Sequence, residues 1–251
     1  MFNRKEQVDK IVEFIRNYYQ ENNLGGVVIG ISGGKDSGVV AGLFTKALGK
    51  ENVLGVTLPC HSNEEDKENA KLVADFYGFR LVNIDLTNSF DSFKDQIKLL
   101  GNFNDQQLLN SDINIKPRMR MMSLYYMAAL ESAIEGKTYI VAGTGNKCEE
   151  FVGYFTKGGD SVSDIKVISD LTVSEVIQLG EELQVPEKVL YKVPNDGLSN
   201  QTDEDKLGVK YSDIEKYINN EPLEEEIKQR IEKLHKNAHH KFNIPTYRKW
   251  D

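Results

Sequence analysis

The sequence predicts an α/β protein, in which a parallel, twisted sheet has helices on both faces and is followed by a helical C-terminal lobe. Two observations favour this fold class. Between residues 8 and 142, four short apolar runs alternate with segments whose apolar residues recur at helical spacing, and such alternation is typical of parallel sheets. After residue 150 the strand-like runs stop and only helical spacing remains. We therefore expect a single domain over residues 1–251.

The predicted elements follow the apolar pattern along the chain. An N-terminal helix carries an apolar stripe made of Val8, Ile11, Val12 and Ile15. Further helices are expected over residues 37–49, 64–77, 89–100, 121–134, 171–183, 211–219 and 223–237. The predicted strands are residues 26–31, 53–58, 81–84 and 139–142. The predicted loops are the polar segments 101–115, 153–164 and 194–207. The second of these loops is rich in Gly and Ser and is expected to stay open until substrate binds.

Composition and charge exclude several classes of function. The net charge of −8 argues against nucleic acid as the main partner, because binding to it depends on neutralising phosphates. No apolar run approaches the length of a membrane span, and the first residues do not resemble a signal peptide. We therefore expect a cytoplasmic protein with no membrane partner. The two cysteines, Cys60 and Cys148, indicate no disulfide framework.

One short segment has the composition of a phosphate-binding loop. The segment that joins the first predicted strand to its helix reads Gly30, Ile31, Ser32, Gly33, Gly34, Lys35, Asp36 and Ser37. Its glycines let the backbone turn sharply and present N–H groups to an anion, and the helix N-terminus adds its positive dipole. Asp36 would repel a bare phosphate, so it is interpreted as a ligand of Mg²⁺ carried with the phosphate. Capping of the following helix is the alternative role for Asp36.

Two better-known phosphate motifs do not fit this loop. The P-loop pattern is Gly, four residues, then Gly-Lys-Ser/Thr, whereas here Ile29 stands at the first Gly and Asp36 follows Lys35. The dinucleotide fingerprint fails because Ser32 occupies its second glycine. The loop instead resembles the SGG-x-D-S loop of the N-type ATP pyrophosphatases, which cleave ATP to AMP and pyrophosphate. An ordinary Gly-rich turn is the simpler interpretation of so short a motif.

Several further segments carry a more specific pattern. They are NIKPRMRM from residue 114, GTGNKCEE from residue 143, GYFTKGGD from residue 153, KVP from residue 192, DEDKLG from residue 203 and the pair His240-Lys241. Their order and spacing resemble those of the ammonia-dependent NAD synthetases over nearly the whole chain. The resemblance implies an adenine nucleotide alpha hydrolase-like fold. It also implies amidation of deamido-NAD to NAD by ammonia, through a deamido-NAD adenylate, with ATP as co-substrate and Mg²⁺ as the metal.

The resemblance also implies roles for individual residues. ATP would be held by residues 30–37 together with Thr144 and Lys192, and Mg²⁺ by Asp36 and Glu149. The residues that would contact deamido-NAD are Arg118, Lys157, Asp164, His240 and Lys241. The catalytic residues would be Asp36, Glu149 and Lys157. The family's homodimer would place deamido-NAD at the subunit interface, where the C-terminal His-Lys pair would complete the neighbour's site. The apolar stripe on the N-terminal helix is the candidate dimer contact.

Several positions depart from the family's pattern. Lys35 stands where many members have an apolar residue or Gln, and it is expected either to reach a phosphate or to point to solvent. Val173 replaces a Lys that contacts ATP in some members, so that contact is absent. Asn195 replaces a Thr or Ser with the same role, which leaves its contact open. Between Asp160 and Asp164 two of the family's glycines are missing, so the loop geometry can differ.

Simpler interpretations exist for single residues. Glu149 beside Glu150 fits a solvated acidic pair, and Lys157 fits a solubilising side chain in a Gly-rich loop. Arg118 and Arg120 flank the predicted helix start at residue 121, where the helix dipole disfavours cations. At least one of these two arginines is therefore expected to have an anionic partner.

Two other functions stay open at this level. One is a related adenylating enzyme that modifies tRNA, a class that usually has paired reactive cysteines or a basic surface, neither of which this chain has. The other is a non-catalytic ATP-binding regulator, which would not need Arg118, Glu149, Lys157 and Asp164 together. Glutamine-dependent NAD synthetases carry an extra amidase domain. The synthetase pattern uses all 251 residues of this sequence, so free ammonia is the expected nitrogen donor.

Overall fold

Five parallel strands form one sheet in the computed structural model, which describes residues 2–192, 202–242 and 245–247. The strands are β1 (Leu24–Gly30), β2 (Val53–Thr57), β3 (Arg80–Asn83), β4 (Thr138–Gly143) and β5 (Ile165–Lys166). Their order across the sheet is β3-β2-β1-β4-β5, and every neighbouring pair is parallel. The predicted fold class is confirmed. β5 has no signal in the sequence, because two residues are too few to show a periodic pattern.

Helices surround this sheet and form the C-terminal lobe. Among the described residues they are α1 (Arg4–Glu21), α2 (Lys35–Leu48), α3 (Glu64–Tyr77), α4 (Thr87–Lys98), α5 (Asp105–Glu135), α6 (Lys147–Val152), α7 (Val173–Glu182), α8 (Glu187–Leu190), α9 (Asp203–Leu207), α10 (Tyr211–Ile218) and α11 (Glu225–Phe242). A short 3₁₀ turn at Lys50–Asn52 leads into β2. No described helix is both long enough and apolar enough to cross a membrane.

The central strand β1 is buried on both faces, as its continuous apolar run predicts. Val27 and Ile29 pack in one core with residues of α1, α2 and α7, whereas Val28 packs in a second core against residues of α4 and α5. Alternate side chains of a strand point to opposite faces of the sheet. The sheet is therefore covered by helices on both sides.

The apolar stripe of α1 lies inside the chain's own core. Val8, Ile11, Val12 and Ile15 are all buried, and they pack against residues of α2, β1 and α7. The expectation that this stripe is a dimer contact was therefore wrong. Its spacing indicated an apolar helix face correctly, but an apolar face covered by the same chain and one covered by a second chain have the same period.

Helix α5 begins earlier than the sequence predicts. Residues 105–115, expected to be part of a loop, form its first three turns. Asn104 caps them: its side chain accepts from the Gln107 amide, and the Gln107 side chain accepts from the Asn104 amide. This capping box was the signal available in the sequence. Arg118 and Arg120 consequently lie in the middle of α5, so the argument from the helix dipole does not apply to them.

The topology places two loops at one crevice. From β1 the chain moves outward to β2 and β3, then returns to β4 on the other side of β1. The carboxyl ends of β1 and β4 therefore flank a topological switch point, where ligands bind in sheets of this kind. The phosphate loop follows β1, and the loop that leads to Glu149 follows β4.

The C-terminal lobe has a core of its own. Cys148 and Val152 of α6 pack with Leu207, Ile214 and Ile231 of α9, α10 and α11. Because α6 follows β4 directly, this core attaches the lobe to the sheet beside the switch point. Burial raises the pKa of the Cys148 thiol to about 12. That cysteine is therefore a packing residue rather than a nucleophile.

Two glycines that follow helices have the same backbone conformation but different surroundings. Gly136 after α5 and Gly153 after α6 both have φ near +66°. A Cβ at Gly153 would lie 2.1 Å from Ala238 Cβ, whereas at Gly136 nothing lies within 4 Å. We predict that Gly136→Ala lowers the free energy of unfolding by about 1 kcal/mol, the cost of a left-handed alanine. Gly153→Ala should lower it by about 3 kcal/mol, because α11 must also move. Urea denaturation measures both, and equal losses would contradict the close approach of α6 and α11.

Candidate active site

A cavity of about 600 Å³ opens at the carboxyl ends of β1, β2 and β4. Most of the residues predicted to bind ATP or metal line it: Gly30, Ile31, Ser32, Gly34, Lys35, Asp36, Ser37, Thr144, Glu149 and Lys192. Its volume lies in the range of small-molecule sites in proteins. Separate strands and loops thus bring these residues to one site, as the parallel sheet predicts.

The phosphate loop is held in a tight turn by its own serines. Ser37 Oγ donates to the Gly34 carbonyl (3.0 Å) and accepts from the Ser32 amide (3.2 Å). Ser32 Oγ accepts from the Gly34 amide (3.3 Å). Gly33 has a φ of +79°, and a Cβ there would lie 2.3 Å from the Asp66 carbonyl oxygen. The amides left to face an anion are therefore those that open α2, which have no partner within the helix.

Asn146 joins the two predicted metal ligands. Its Nδ2 donates to Asp36 Oδ1 (3.3 Å), and its backbone amide donates to Glu149 Oε2 (3.1 Å). Its Oδ1 also accepts from the amides of Cys148 and Glu149, which caps α6. This fully buried residue therefore fixes two carboxylates that come from different strand ends. Asn146 was not among the predicted site residues, although the capping box that it forms with Glu149 is visible in the sequence.

Among the residues predicted to contact deamido-NAD, Lys241 lines the cavity, whereas Arg118, Lys157, Asp164 and His240 do not. Arg118 Nε and Nη2 donate to the Lys157 carbonyl (3.3 and 3.2 Å), and Lys157 Nζ donates to the His240 carbonyl (2.9 Å). Asp164 accepts from Tyr125 Oη (3.0 Å) and from the Val141 amide (2.8 Å). Arg118, Lys157 and His240 are thus brought together on the surface, whereas Asp164 is tied to β4 and α5.

Lys241 lines the cavity of its own chain. Its Nζ donates to the carbonyls of Gly153 and Phe155, both at 2.7 Å. Burial lowers the pKa of this ammonium, and the carboxylate of Asp160 opposes the change. Contacts within the same chain therefore account for the position of Lys241. A contribution of Lys241 to a neighbour's site stays a prediction. These contacts also seat the loop at 153–164 against α11, an arrangement that its Gly and Ser content did not predict.

Comparison with known proteins agrees with this geometry. The family model of NAD synthase matches residues 7–245. The chain is 37% identical over 244 residues to the NH(3)-dependent NAD(+) synthetase of Carboxydothermus hydrogenoformans, and the match covers 97% of both proteins.

The chain belongs to the NAD synthase family. The resemblance found in its motifs is therefore confirmed.

Two solved structures are similar to this NAD synthase family member along its whole length. The NMN synthetase of Francisella tularensis has a TM-score of 0.89 and 31% identity, and the match covers 100% of both chains. The NH3-dependent NAD synthetase of Campylobacter jejuni has a TM-score of 0.78 and 26% identity, and the match covers 99% of this chain and 100% of that one. The fold around the switch point is thus the family's fold.

The electrostatics of the NAD synthase site centre on Glu149. Burial and the neighbouring Asp36 carboxylate raise its pKa, and the Lys35 ammonium opposes this. Burial by itself would lower the pKa of Lys35, but Asp36 and Glu149 outweigh it, so that this pKa is raised. Two carboxylates and one ammonium therefore share a poorly solvated site, in which each stabilises or destabilises the charge of the others.

Other predicted or overlooked residues can also be placed. Lys192 forms an ion pair with Asp66 at the cavity wall, and Asn195 lies outside the described residues. Arg120 was not among the predicted site residues, yet it lines the cavity and its Nε donates to the Leu58 carbonyl (3.2 Å). Asp160, which also lines the cavity, accepts from the Thr156 amide (2.8 Å). Nothing in the local sequence distinguishes Arg120 or Asp160 from surface charges.

Asn146 should matter beyond its capping role. We predict that Asn146→Asp keeps the cap but loses the donor to Asp36 and adds a third carboxylate, so that kcat/KM for ATP falls by more than about 100-fold. Thermal unfolding should show lower stability, because a buried carboxylate has no counter-charge. Steady-state kinetics with ATP varied measures the first effect.

Thr172→Ala provides the control for capping. Thr172 caps α7 with the same kind of capping box, formed with Glu175. Its loss should cost about 1 kcal/mol of stability and leave kcat/KM nearly unchanged. If both variants lost activity in proportion to stability, Asn146 would be a structural cap and nothing more.

Proposed function

We propose that this chain catalyses the amidation of deamido-NAD to NAD, with ammonia as the nitrogen donor and with cleavage of ATP to AMP and pyrophosphate. It is an enzyme, a carbon–nitrogen ligase. The observation that carries the proposal is the joining of the phosphate loop to the Glu149 carboxylate, through Asn146, in one cavity of an NAD synthase fold. The relative from Carboxydothermus hydrogenoformans, which is 37% identical to this chain, bears the name NH(3)-dependent NAD(+) synthetase.

The chemistry explains why such a cavity is needed. A carboxylate is a poor electrophile, and its oxygen is a poor leaving group, so transfer of AMP from ATP must first convert it to an adenylate. The amides at the start of α2 and the hydroxyl groups of the loop bind the phosphates that become pyrophosphate. The adenylate must be kept away from water until ammonia attacks, and its position deep in the cavity would limit that access.

The donor set fits Mg²⁺ bound together with ATP. Among residues 2–192, 202–242 and 245–247, no three His, Cys, Asp or Glu side chains form a metal site of their own. Asp36 and Glu149 are two carboxylates next to a phosphate loop, and Mg²⁺ is usually bound by one or two carboxylates plus substrate phosphates. When bound, the metal would neutralise charge that develops on the phosphates. Asp36 and Glu149 are therefore proposed as its ligands.

Two cations next to the cavity-lining residues Pro117 and Thr156, together with Lys241 in the cavity wall, are proposed to bind the second substrate. Arg118 donates to the Lys157 carbonyl, and Lys157 donates to the His240 carbonyl. Lys241, the next residue of α11, donates to the Gly153 carbonyl. Deamido-NAD carries a pyrophosphate and a nicotinate carboxylate, which such cations would neutralise. His240, which is exposed, and Asp164, which is hydrogen-bonded to Tyr125, would contact its polar groups.

A second candidate substrate is nicotinate mononucleotide, the acid that corresponds to NMN. The observation that favours it is the similarity to the Francisella tularensis NMN synthetase, with full coverage of both chains and a TM-score of 0.89. Both acids present the same nicotinate carboxylate to the adenylation site. They differ in the AMP half, which deamido-NAD has and the mononucleotide lacks.

A homodimer is proposed through α5 rather than α1. Met122, Tyr126, Leu130 and Ile134 recur at every fourth position of α5 and are between 41% and 69% exposed. Residues at this spacing lie on one face of a helix, and contiguous apolar side chains on a surface favour an interaction site. We also propose that residues 1–251 work as one domain in the cytoplasm.

The test of function is an omission experiment that includes the two metal ligands. Pyrophosphate release should require ATP, Mg²⁺ and an acid substrate, and ammonium should convert that substrate to its amide. Asp36→Asn and Glu149→Gln should each reduce the rate by more than about 100-fold, because a metal ligand supplies several kcal/mol of charge stabilisation. Glu149→Gln should not lower the melting temperature, since burial already disfavours the charge of Glu149.

Glu175→Gln is the matched control, because Glu175 has the same place as Glu149 in a capping box away from the cavity. It should retain normal turnover. The ratio of kcat/KM for deamido-NAD and for nicotinate mononucleotide decides between the two substrates. Pyrophosphate release that needs neither acid would reject the proposed reaction.

The dimer proposal is tested by placing charge on the α5 stripe. Sedimentation of the wild type should give twice 28.4 kDa, and Met122→Glu with Tyr126→Glu should give a monomer, because buried carboxylates without partners are costly. Phe14→Glu, on the exposed side of α1, should remain a dimer. A wild-type monomer, or dissociation caused by Phe14→Glu alone, would contradict the assignment to α5.

A further inference from the structure

Lys35 is a buried cation in the middle of the acidic residues of the site. It is only 6% exposed, and its Nζ lies 2.9 Å from Asp36 Oδ2. The carboxylates of Glu149 and Asp203 also contribute to the rise of its pKa. The ring of Tyr211 lies beneath the ammonium, with its centre 5.9 Å away. Lys35 therefore does not point to solvent, and its ammonium is paired with Asp36.

The surrounding groups come from separate parts of the fold. Asp36 belongs to α2 and Glu149 to α6, whereas Asp203 and Tyr211 come from α9 and α10 of the C-terminal lobe. Asp203 is buried and accepts from Tyr154 Oη (3.1 Å). A buried ammonium is stable only when such partners surround it. The site thus holds a positive charge, the Lys35 ammonium, next to the Asp36 carboxylate.

The Lys35 ammonium also stabilises the carboxylates of Asp36 and Glu149. Asp36 and Glu149 accept hydrogen bonds from the same residue, Asn146, which keeps both carboxylates close together. Two carboxylates in a poorly solvated site repel each other strongly, and a cation on one of them reduces that repulsion. Mg²⁺ would do so in the loaded enzyme, and Lys35 does so in the arrangement that the structure shows.

We propose that Lys35 is a built-in counter-cation, which keeps Asp36 and Glu149 in position before Mg²⁺ binds and competes with the metal for Asp36. This rests on the proposed role of these two carboxylates as metal ligands. When the metal takes Asp36, the ammonium still has the ring of Tyr211 beneath it. Lys35 is accordingly a positioning residue, whose effect on catalysis passes through Asp36 and Glu149.

A simple phosphate contact is the competing role for Lys35. A lysine of that kind would affect ATP binding but would not affect the protein when ATP is absent. The two roles therefore separate in experiments with metal alone. Mn²⁺ serves as the probe, because it takes oxygen ligands as Mg²⁺ does and its binding can be followed by electron paramagnetic resonance.

The experiment compares Lys35→Met with the wild type and with Lys46→Met, a control that removes an exposed lysine from the last turn of the same helix. In EDTA, Lys35→Met should melt about 5 °C below the wild type, because Asp36 loses its buried ion-pair partner. Without nucleotide, Mn²⁺ should bind about tenfold more tightly to Lys35→Met, since no ammonium competes. It should also raise the melting temperature of this variant more than that of the wild type. Lys46→Met should match the wild type throughout.

The proposal is overturned if Lys35→Met has the melting temperature and Mn²⁺ affinity of the wild type and only its KM for ATP rises. If Lys35→Met does not fold, Lys35→Met with Asp36→Asn should fold again, because one of the unpaired charges is gone, and failure of this double variant would also overturn it. Asp36→Asn alone tests the underlying assignment. If that variant bound Mn²⁺ as the wild type does, the role of Asp36 as a metal ligand would be wrong, independently of Lys35.

Discussion

Two carboxylates held side by side at the carboxyl ends of β1 and β4 are the constraint on which the site depends. Asp36 lies at the start of α2 and Glu149 at the start of α6, and the strands β2, β3 and β4 lie between them in the chain. Asn146 joins the two carboxylates with hydrogen bonds from its side chain and its backbone. Their mutual repulsion must be balanced by positive charge, which the structure supplies through Lys35. The tight turn of the phosphate loop and the start of α2 then fix where that charge lies.

The C-terminal lobe is part of this arrangement rather than an appendage. The ring of Tyr211 lies beneath Lys35, the Asp203 carboxylate raises the pKa of Lys35, and Lys241 of α11 donates to the carbonyls of Gly153 and Phe155. The lobe therefore supplies part of the cavity wall, through Asp203 and Lys241. The packing of α6 against α11 at Gly153 is consequently connected to the chemistry of the site as well as to stability.

The apolar faces of α1 and α5 show that a sequence pattern does not determine what packs against a helix. The stripe of α1 and the stripe of α5 have similar helical spacing, yet Ile15 is fully buried within the chain and Tyr126 is 69% exposed. Periodicity shows that a face is apolar but not what covers it. Only the three-dimensional arrangement of α2 and α7 over α1 shows that this face is already covered, which leaves α5 as the candidate dimer surface.

The sequence by itself determined the parallel α/β fold, four of the strands and the family, because these depend on local apolar periodicity and on motifs whose spacing survives without knowledge of contacts. It also identified the phosphate loop and Glu149. The strand β5, the roles of Asn146 and Lys35 and the neighbours of Lys241 were decided only by the tertiary structure. Each depends on groups that are distant in the chain, such as Asp36 and Asn146. The start of α5 was missed although its capping box is local, because the polar composition of residues 101–115 favoured a loop. Burial and charge are properties of the whole site, so a local pattern cannot contain them.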